Sequence, residues 1–159
     1  VEQLNNYKNK TGSIVNFPNS EPIDSDKLLE IECDVLIPAA LENVITDKNA
    51  KNIKTKIISE AANGPTIPEA DEILDNNDVF LIPDILANAG GVFTSYLEWV
   101  QNLQRDHWTN SVVTTRLEQG MVDAFNNVYS VSKKHNVSMR KAALILGISR
   151  VADVIKLLN

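Results

Sequence analysis

Asp34-Val35-Leu36-Ile37-Pro38-Ala39-Ala40 is a brief unbroken apolar run, β-branched in part and stopped by proline. A run of that kind reads as a strand buried on both faces, as strands of a parallel sheet are. Two further runs share its character: Lys56-Ile57-Ile58-Ser59-Glu60 and Val79-Phe80-Leu81-Ile82-Pro83. Strands are therefore expected near 35–39, 56–60 and 79–82. Helix-compatible segments separate them. Thr46 through Ile53 is short, and Thr66-Ile67-Pro68-Glu69 has the form of a capping box with proline in the first turn, opening a helix through Ile73 and Leu74 to Asn77. Strand and helix alternating at a spacing of about 22 residues is the pattern of βαβ units and a parallel sheet.

Outward from this centre the pattern changes on both sides. Upstream, Gly12-Ser13-Ile14-Val15-Asn16-Phe17 is a candidate short strand, and Lys27 to Ile31 a candidate helix. Downstream of Gly91 there is no strand candidate. Val113, Leu117, Met121, Ala124, Val128 and Val131 stand three or four apart, as a one-sided helix requires. Ser138 can cap a last helix through Ala142, Ile145, Val151, Ile155 and Leu158, with Gly147 a candidate interruption. The expected fold class is α/β: part of a Rossmann-like parallel sheet followed by closing helices.

Composition narrows the chemistry. The 159 residues are 43% hydrophobic, enough for one ordinary domain with a real core. A net charge of −6 repels phosphate backbones and argues against nucleic-acid binding. The longest apolar runs, such as Ala142 to Ile148, fall far short of the roughly 20 residues of a membrane span. The N-terminus has neither the basic start nor the hydrophobic stretch of a signal peptide. A lone cysteine, Cys33, forms no internal disulfide and reads as a small core residue; with two histidines it makes no zinc set, so no metal is expected. A reducing cytoplasm is the natural compartment.

In an open parallel sheet, ligands bind beyond the carboxyl ends of the strands, where loops and helix N-termini converge. The first strand ends in Pro38-Ala39-Ala40, whose small side chains allow a flat ligand or a sugar close to the backbone; the same residues also make a tight strand-to-helix turn. The second ends in Ala61-Ala62-Asn63-Gly64-Pro65. Asn63 offers a carboxamide donor and acceptor suited to another carboxamide, while Asn-Gly-Pro is equally a good turn. The third, Pro83-Asp84-Ile85-Leu86-Ala87-Asn88-Ala89-Gly90-Gly91-Val92-Phe93-Thr94-Ser95, brings bare backbone to the start of a helix. Exposed N–H groups and a positive dipole end there suit a carboxylate, and Ser95 shares a face with Gly91. Close helix packing would also demand those glycines.

DVLIPAALEN (34–43), EAANGPTIPEAD (60–71) and PDILANAGGVFTSYLEWVQ (83–101) together resemble consecutive segments of the glutamate dehydrogenases, in order and spacing. The likeness runs with less specificity from about Tyr7 to the end. Asn-Ala-Gly-Gly-Val is shared with the leucine, phenylalanine and valine enzymes; Ser95-Tyr96-Leu97-Glu98-Trp99 narrows the resemblance toward glutamate. Ala61 and Ile67 depart mildly from it, standing where Gly and Thr are common.

The resemblance implies that Ala39 and Ala40 edge the dinucleotide site, with Asn63 and Asn88 near the nicotinamide. Gly90, Gly91 and Val92 would form the floor where substrate meets the ring, and Ser95 would touch the substrate carboxylate. It implies NAD or NADP as cofactor, L-glutamate and 2-oxoglutarate as substrates, and a homo-oligomeric parent, a hexamer. Residues 1–108 would be the C-terminal half of the dinucleotide domain, and 109–159 helices packing on it and toward a substrate domain.

No G-x-G-x-x-G pyrophosphate loop occurs. No catalytic residue is expected in the chain either, since the family's lysines and aspartate lie in a separate domain and Lys48, Lys51, Lys54 and Lys56 read as a surface run. A fragment of a longer enzyme, inactive alone, is the expectation. The alternatives are a related leucine-, phenylalanine- or valine-type enzyme, and a non-catalytic interaction module that keeps half the fold. His107 and His135 stand isolated, and Tyr96, Trp99 and Trp108 read as packing residues for a neighbouring domain.

Overall fold

The computed structural model describes residues 1–158, the side chain of Asp26 excepted; Asn159, the last residue of the expected helical tail, lies outside the described residues. The chain opens with α1 (Glu2–Thr11) and α2 (Ser25–Leu28), then β1 (Val35–Leu36), a single 3-10 turn (Ala50–Asn52) and β2 (Ile57–Ser59). Next come α3 (Pro68–Asn76), β3 (Phe80–Ile82) and α4 (Asp84–Ala87). Three longer helices finish it: α5 (Gly90–Gln104), α6 (Asn110–His135) and α7 (Met139–Leu158).

All three strands run parallel in the order β1-β2-β3, with Val35 opposite Ile57 and Ile58 opposite Leu81. The expected α/β sheet is present, in shorter strands. At β1 the reason is local. Pro38 has no N–H to give the ladder, and its carbonyl accepts instead from the amides of Ala61 and Ala62 at 3.1 and 2.9 Å.

Alternating side chains send the sheet into two cores. On one side Ile45, Ala50, Ile53, Ile58, Ala70, Leu74 and Val79 form a buried cluster, with Leu36 and Leu81 packed against it. On the other, Phe80 and Ile82 pack against Leu86, Val128, Met139, Ala142 and Ala143. The sheet is thus covered by α3 and the 3-10 turn on one face and by the α6–α7 hairpin on the other.

Several expectations are corrected. Gly12 to Phe17 forms no strand: Gly12 ends α1 at φ +79°, Asn16 is also left-handed, and Phe17 N–H closes a turn on the Ile14 carbonyl. Only one turn of helix forms between β1 and β2, because Asn49 accepts from Thr46 N–H and donates to the Val44 carbonyl, both at 2.8 Å. The helix expected over 27–31 stands at Ser25–Leu28.

The capping box at Thr66 does not form. Thr66 is drawn into a parallel bridge with Ile45, the cap position passes to Ile67, and the Thr66 hydroxyl is left buried without a partner. Gly147 does not interrupt α7, and Cys33 is half-buried rather than core. Ser138 does accept from Lys141 N–H in the first turn of α7, as its place in the sequence suggests.

Candidate functional site at the carboxyl rim

Beyond the carboxyl ends of the strands, three loops are stitched together. Pro38 ties the end of β1 to Ala61 and Ala62, and Asn43 N–H reaches the Gly64 carbonyl at 2.8 Å. Asn63 follows β2, Asn88 follows α4, and their side chains meet: Asn88 Nδ2 donates to Asn63 Oδ1 at 2.7 Å. A longer contact, 3.4 Å, runs from the same nitrogen to the Ala61 carbonyl. The pair uses one donor and one acceptor. Asn88 Oδ1 and Asn63 Nδ2 make no hydrogen bond to protein among the described residues, leaving an acceptor and a donor for a carboxamide-like ligand.

Two residues past Asn88, Gly90 begins α5. Gly91 and Val92 lie on its exposed first turn, Val92 77% exposed. A helix start is rich in backbone N–H groups and carries the positive end of the helix dipole. Ser95 Oγ is exposed and bonds back to the Gly91 carbonyl at 3.2 Å, which confirms that the two share a face. Ala39 and Ala40 are exposed at the end of β1, on the wall of an open cavity of about 950 Å³ shared with Leu28, Leu36 and Val44. The structure therefore brings Asn63 and Asn88 into contact, sets Gly90, Gly91, Val92 and Ser95 on the helix that follows, and links Ala39 to them through Pro38.

The largest feature of the rim was not visible beforehand. Arg140, in the first turn of α7, reaches three carboxylates. Its Nη2 donates to Glu60 Oε1 at 2.7 Å and to Asp71 Oδ1 at 3.2 Å, its Nη1 to Asp84 Oδ1 at 3.2 Å, and its Nε to Asp71 Oδ2. Glu60 is wholly buried, and its second oxygen accepts from Asp84 N–H at 2.8 Å. Burial works against the guanidinium charge, yet hydrogen bonds to Asp71 and Glu60 outweigh it and hold Arg140 above the ordinary arginine pKa. One signal could have found this cluster. An acid that closes a strand buried on both faces needs a cation, and Glu60 follows Ile57-Ile58-Ser59.

The family model for glutamate/leucine/phenylalanine/valine dehydrogenases matches residues 1–157. The chain belongs to that family. It is 52% identical over 156 residues to a glutamate dehydrogenase of Thermotoga maritima, covering 98% of this chain and 38% of that protein. It is 44% identical over 153 residues to a cryptic catabolic NAD-specific glutamate dehydrogenase of Bacillus subtilis, covering 96% of this chain and 36% of that one. Glutamate dehydrogenase from Peptoniphilus asaccharolyticus superposes with a TM-score of 0.80 at 37% identity, over 99% of this chain and 35% of its own. The chain thus spans little more than a third of the length of these relatives. Among the described residues, no helix of this dehydrogenase-family chain is long and apolar enough to cross a membrane.

Proposed function

We propose that this chain carries the nicotinamide-facing half of the active site of an NAD- or NADP-dependent glutamate dehydrogenase. In this reading, residues 1–108 are the C-terminal half of its dinucleotide domain and 109–159 its closing helices. The observation that carries the reading is the Asn63–Asn88 contact at 2.7 Å, two residues ahead of the Gly90-Gly91 helix start. The pair leaves one carboxamide donor and one acceptor to match a nicotinamide amide. Names of relatives favour NAD, since one is called NAD-specific.

When bound, the nicotinamide would accept hydride from the substrate α-carbon, and water would then displace ammonia from that carbon to leave 2-oxoglutarate. This chain's part is orientation. Asn63 and Asn88 fix the carboxamide. Gly90, Gly91 and Val92 let substrate approach without side-chain obstruction, and Ser95 donates to the substrate's side-chain carboxylate by turning its hydroxyl from the Gly91 carbonyl. Acid–base catalysis and the pyrophosphate anchor belong to residues outside this sequence, so the 159 residues alone are expected to show no turnover and little dinucleotide affinity. The complete enzyme is read as a cytoplasmic homo-oligomer, a hexamer on the family likeness.

Ser95 provides the test. In the complete enzyme, Ser95→Val removes a hydrogen bond to a charged group, worth roughly 1.5–3 kcal/mol. The expected loss in kcat/KM for glutamate is about ten- to a hundredfold, while the KM for the cofactor stays nearly constant. Norvaline lacks the carboxylate and should lose far less. Equal losses on both substrates would mean that Ser95 only supports the helix and would remove it from substrate choice.

A further inference from the structure

Arg140 touches none of the residues expected to meet cofactor or substrate, yet every rim loop near them leads back to it. Asp84 is the junction. Its Oδ2 accepts from Gly64 N–H at 2.8 Å, one residue from Asn63. Its carbonyl accepts from Asn88 N–H at 3.0 Å, one helical turn on. Its own N–H is held by Glu60, and Glu60 N–H in turn reaches the Ile82 carbonyl of β3 at 3.1 Å. Both members of the Asn63–Asn88 pair therefore hang from Asp84.

Three carboxylates converge here, and like charges this close repel unless a cation sits among them. Arg140 is the only cation paired with them among the described residues. Only a planar fork can serve the three at once: Nε and Nη2 take Asp71, Nη2 also takes Glu60, and Nη1 takes Asp84. A lysine ammonium is a compact point charge and lacks that reach.

We propose that Arg140 is a positioning residue for the cofactor: by gathering Glu60, Asp71 and Asp84 it locks the loop after β2 against α4 and so sets the geometry of the Asn63–Asn88 pair. The role lies in α7, 56 residues beyond Asp84 and on a different element from every ligand-facing group. It rests on the reading of that pair as the nicotinamide clamp.

The experiment uses the complete enzyme, with Arg140→Lys and, in case that variant does not fold, Asp84→Asn. The second substitution keeps the size of the side chain and leaves the Glu60 and Asp71 contacts of Arg140 in place. Expected is a rise of about fivefold or more in the KM for NAD, with the KM for glutamate within about twofold of wild type. A merely structural role lowers the yield of folded enzyme and leaves both constants of the surviving fraction unchanged; that result overturns the proposal, as does an equal rise in both.

Hydrogen exchange on the same samples gives an arm independent of activity. Residues 61–65 and 85–89 should exchange faster in Asp84→Asn, with α6 unchanged. Uniform acceleration, or none at 61–65, also overturns the proposal. If the wild-type enzyme reduces neither NAD nor NADP with glutamate, the functional reading falls, and the exchange pattern still decides whether Arg140 and Asp84 hold the rim.

Discussion

The carboxyl rim of β2 and β3 and the outer side of β1 begin from similar sequence, short apolar runs that proline stops at β1 and β3, and end in opposite states. Around β2 and β3, Pro65 and Pro83 are fully buried, Glu60 is paired twice, and one arginine binds three acids. Around β1, Ile31, Val35, Ile37 and Leu41 are exposed, and the cavity wall at Ala39 and Ala40 is open. The difference follows from neighbours. β2 is paired on both edges and β3 is backed by α3 and α7, whereas β1 is an edge strand of two residues. Within these 159 residues, short apolar runs are thus covered to different degrees, according to which neighbouring elements pack on each.

The largest expected effect lies at the tied rim. Arg140→Ala leaves Glu60 buried and without its cation, and breaking such a cluster costs about 3–5 kcal/mol. Urea unfolding of this chain should show that loss; a loss below about 1 kcal/mol would mean the rim is held by packing alone.

A middling effect is expected where α5 crosses α6. A Cβ on Gly120 would come within 2.6 Å of the Phe93 ring, so Gly120→Ala must shift that ring. The cost is about 1–3 kcal/mol by thermal or urea unfolding. No loss would show that Phe93 has room to turn aside.

Smaller, and of opposite sign, is Thr66→Val. It removes a buried hydroxyl that has no partner and should leave stability unchanged or raise it by about 1 kcal/mol. A clear loss of stability would mean that this hydroxyl has a partner after all. Least of all is expected at the open edge, where Leu41→Ser exchanges a side chain 69% exposed and should fall within about 0.5 kcal/mol of wild type. A large loss there would erase the contrast between the two regions.

How much of this was legible follows the same division. The parallel sheet could be read because three apolar runs at regular spacing have few other meanings, and Asn63, Asn88 and Gly90 could be placed because strand ends in such a sheet converge. The length of β1 could not be read, since it depends on which amides claim the Pro38 carbonyl. Thr66-Ile67-Pro68-Glu69 obeyed a local capping rule and failed because a tertiary bridge to Ile45 competes for the same backbone. Arg140 was hidden by its setting. Met139-Arg140-Lys141 looks like any solvated first turn, and its partners lie 56, 69 and 80 residues away.

In the proposed enzyme the rim divides its labour, with Asn63 and Asn88 addressing cofactor and Ser95 addressing substrate. The most direct measurement is calorimetric titration of NAD into the complete enzyme carrying Asn88→Leu, beside the Ser95→Val form. Losing the Asn88 carboxamide should weaken NAD binding about tenfold, at roughly 1.4 kcal/mol per decade, while Ser95→Val leaves it within about twofold. Unchanged NAD affinity in Asn88→Leu, or an equal loss in both variants, would contradict the account.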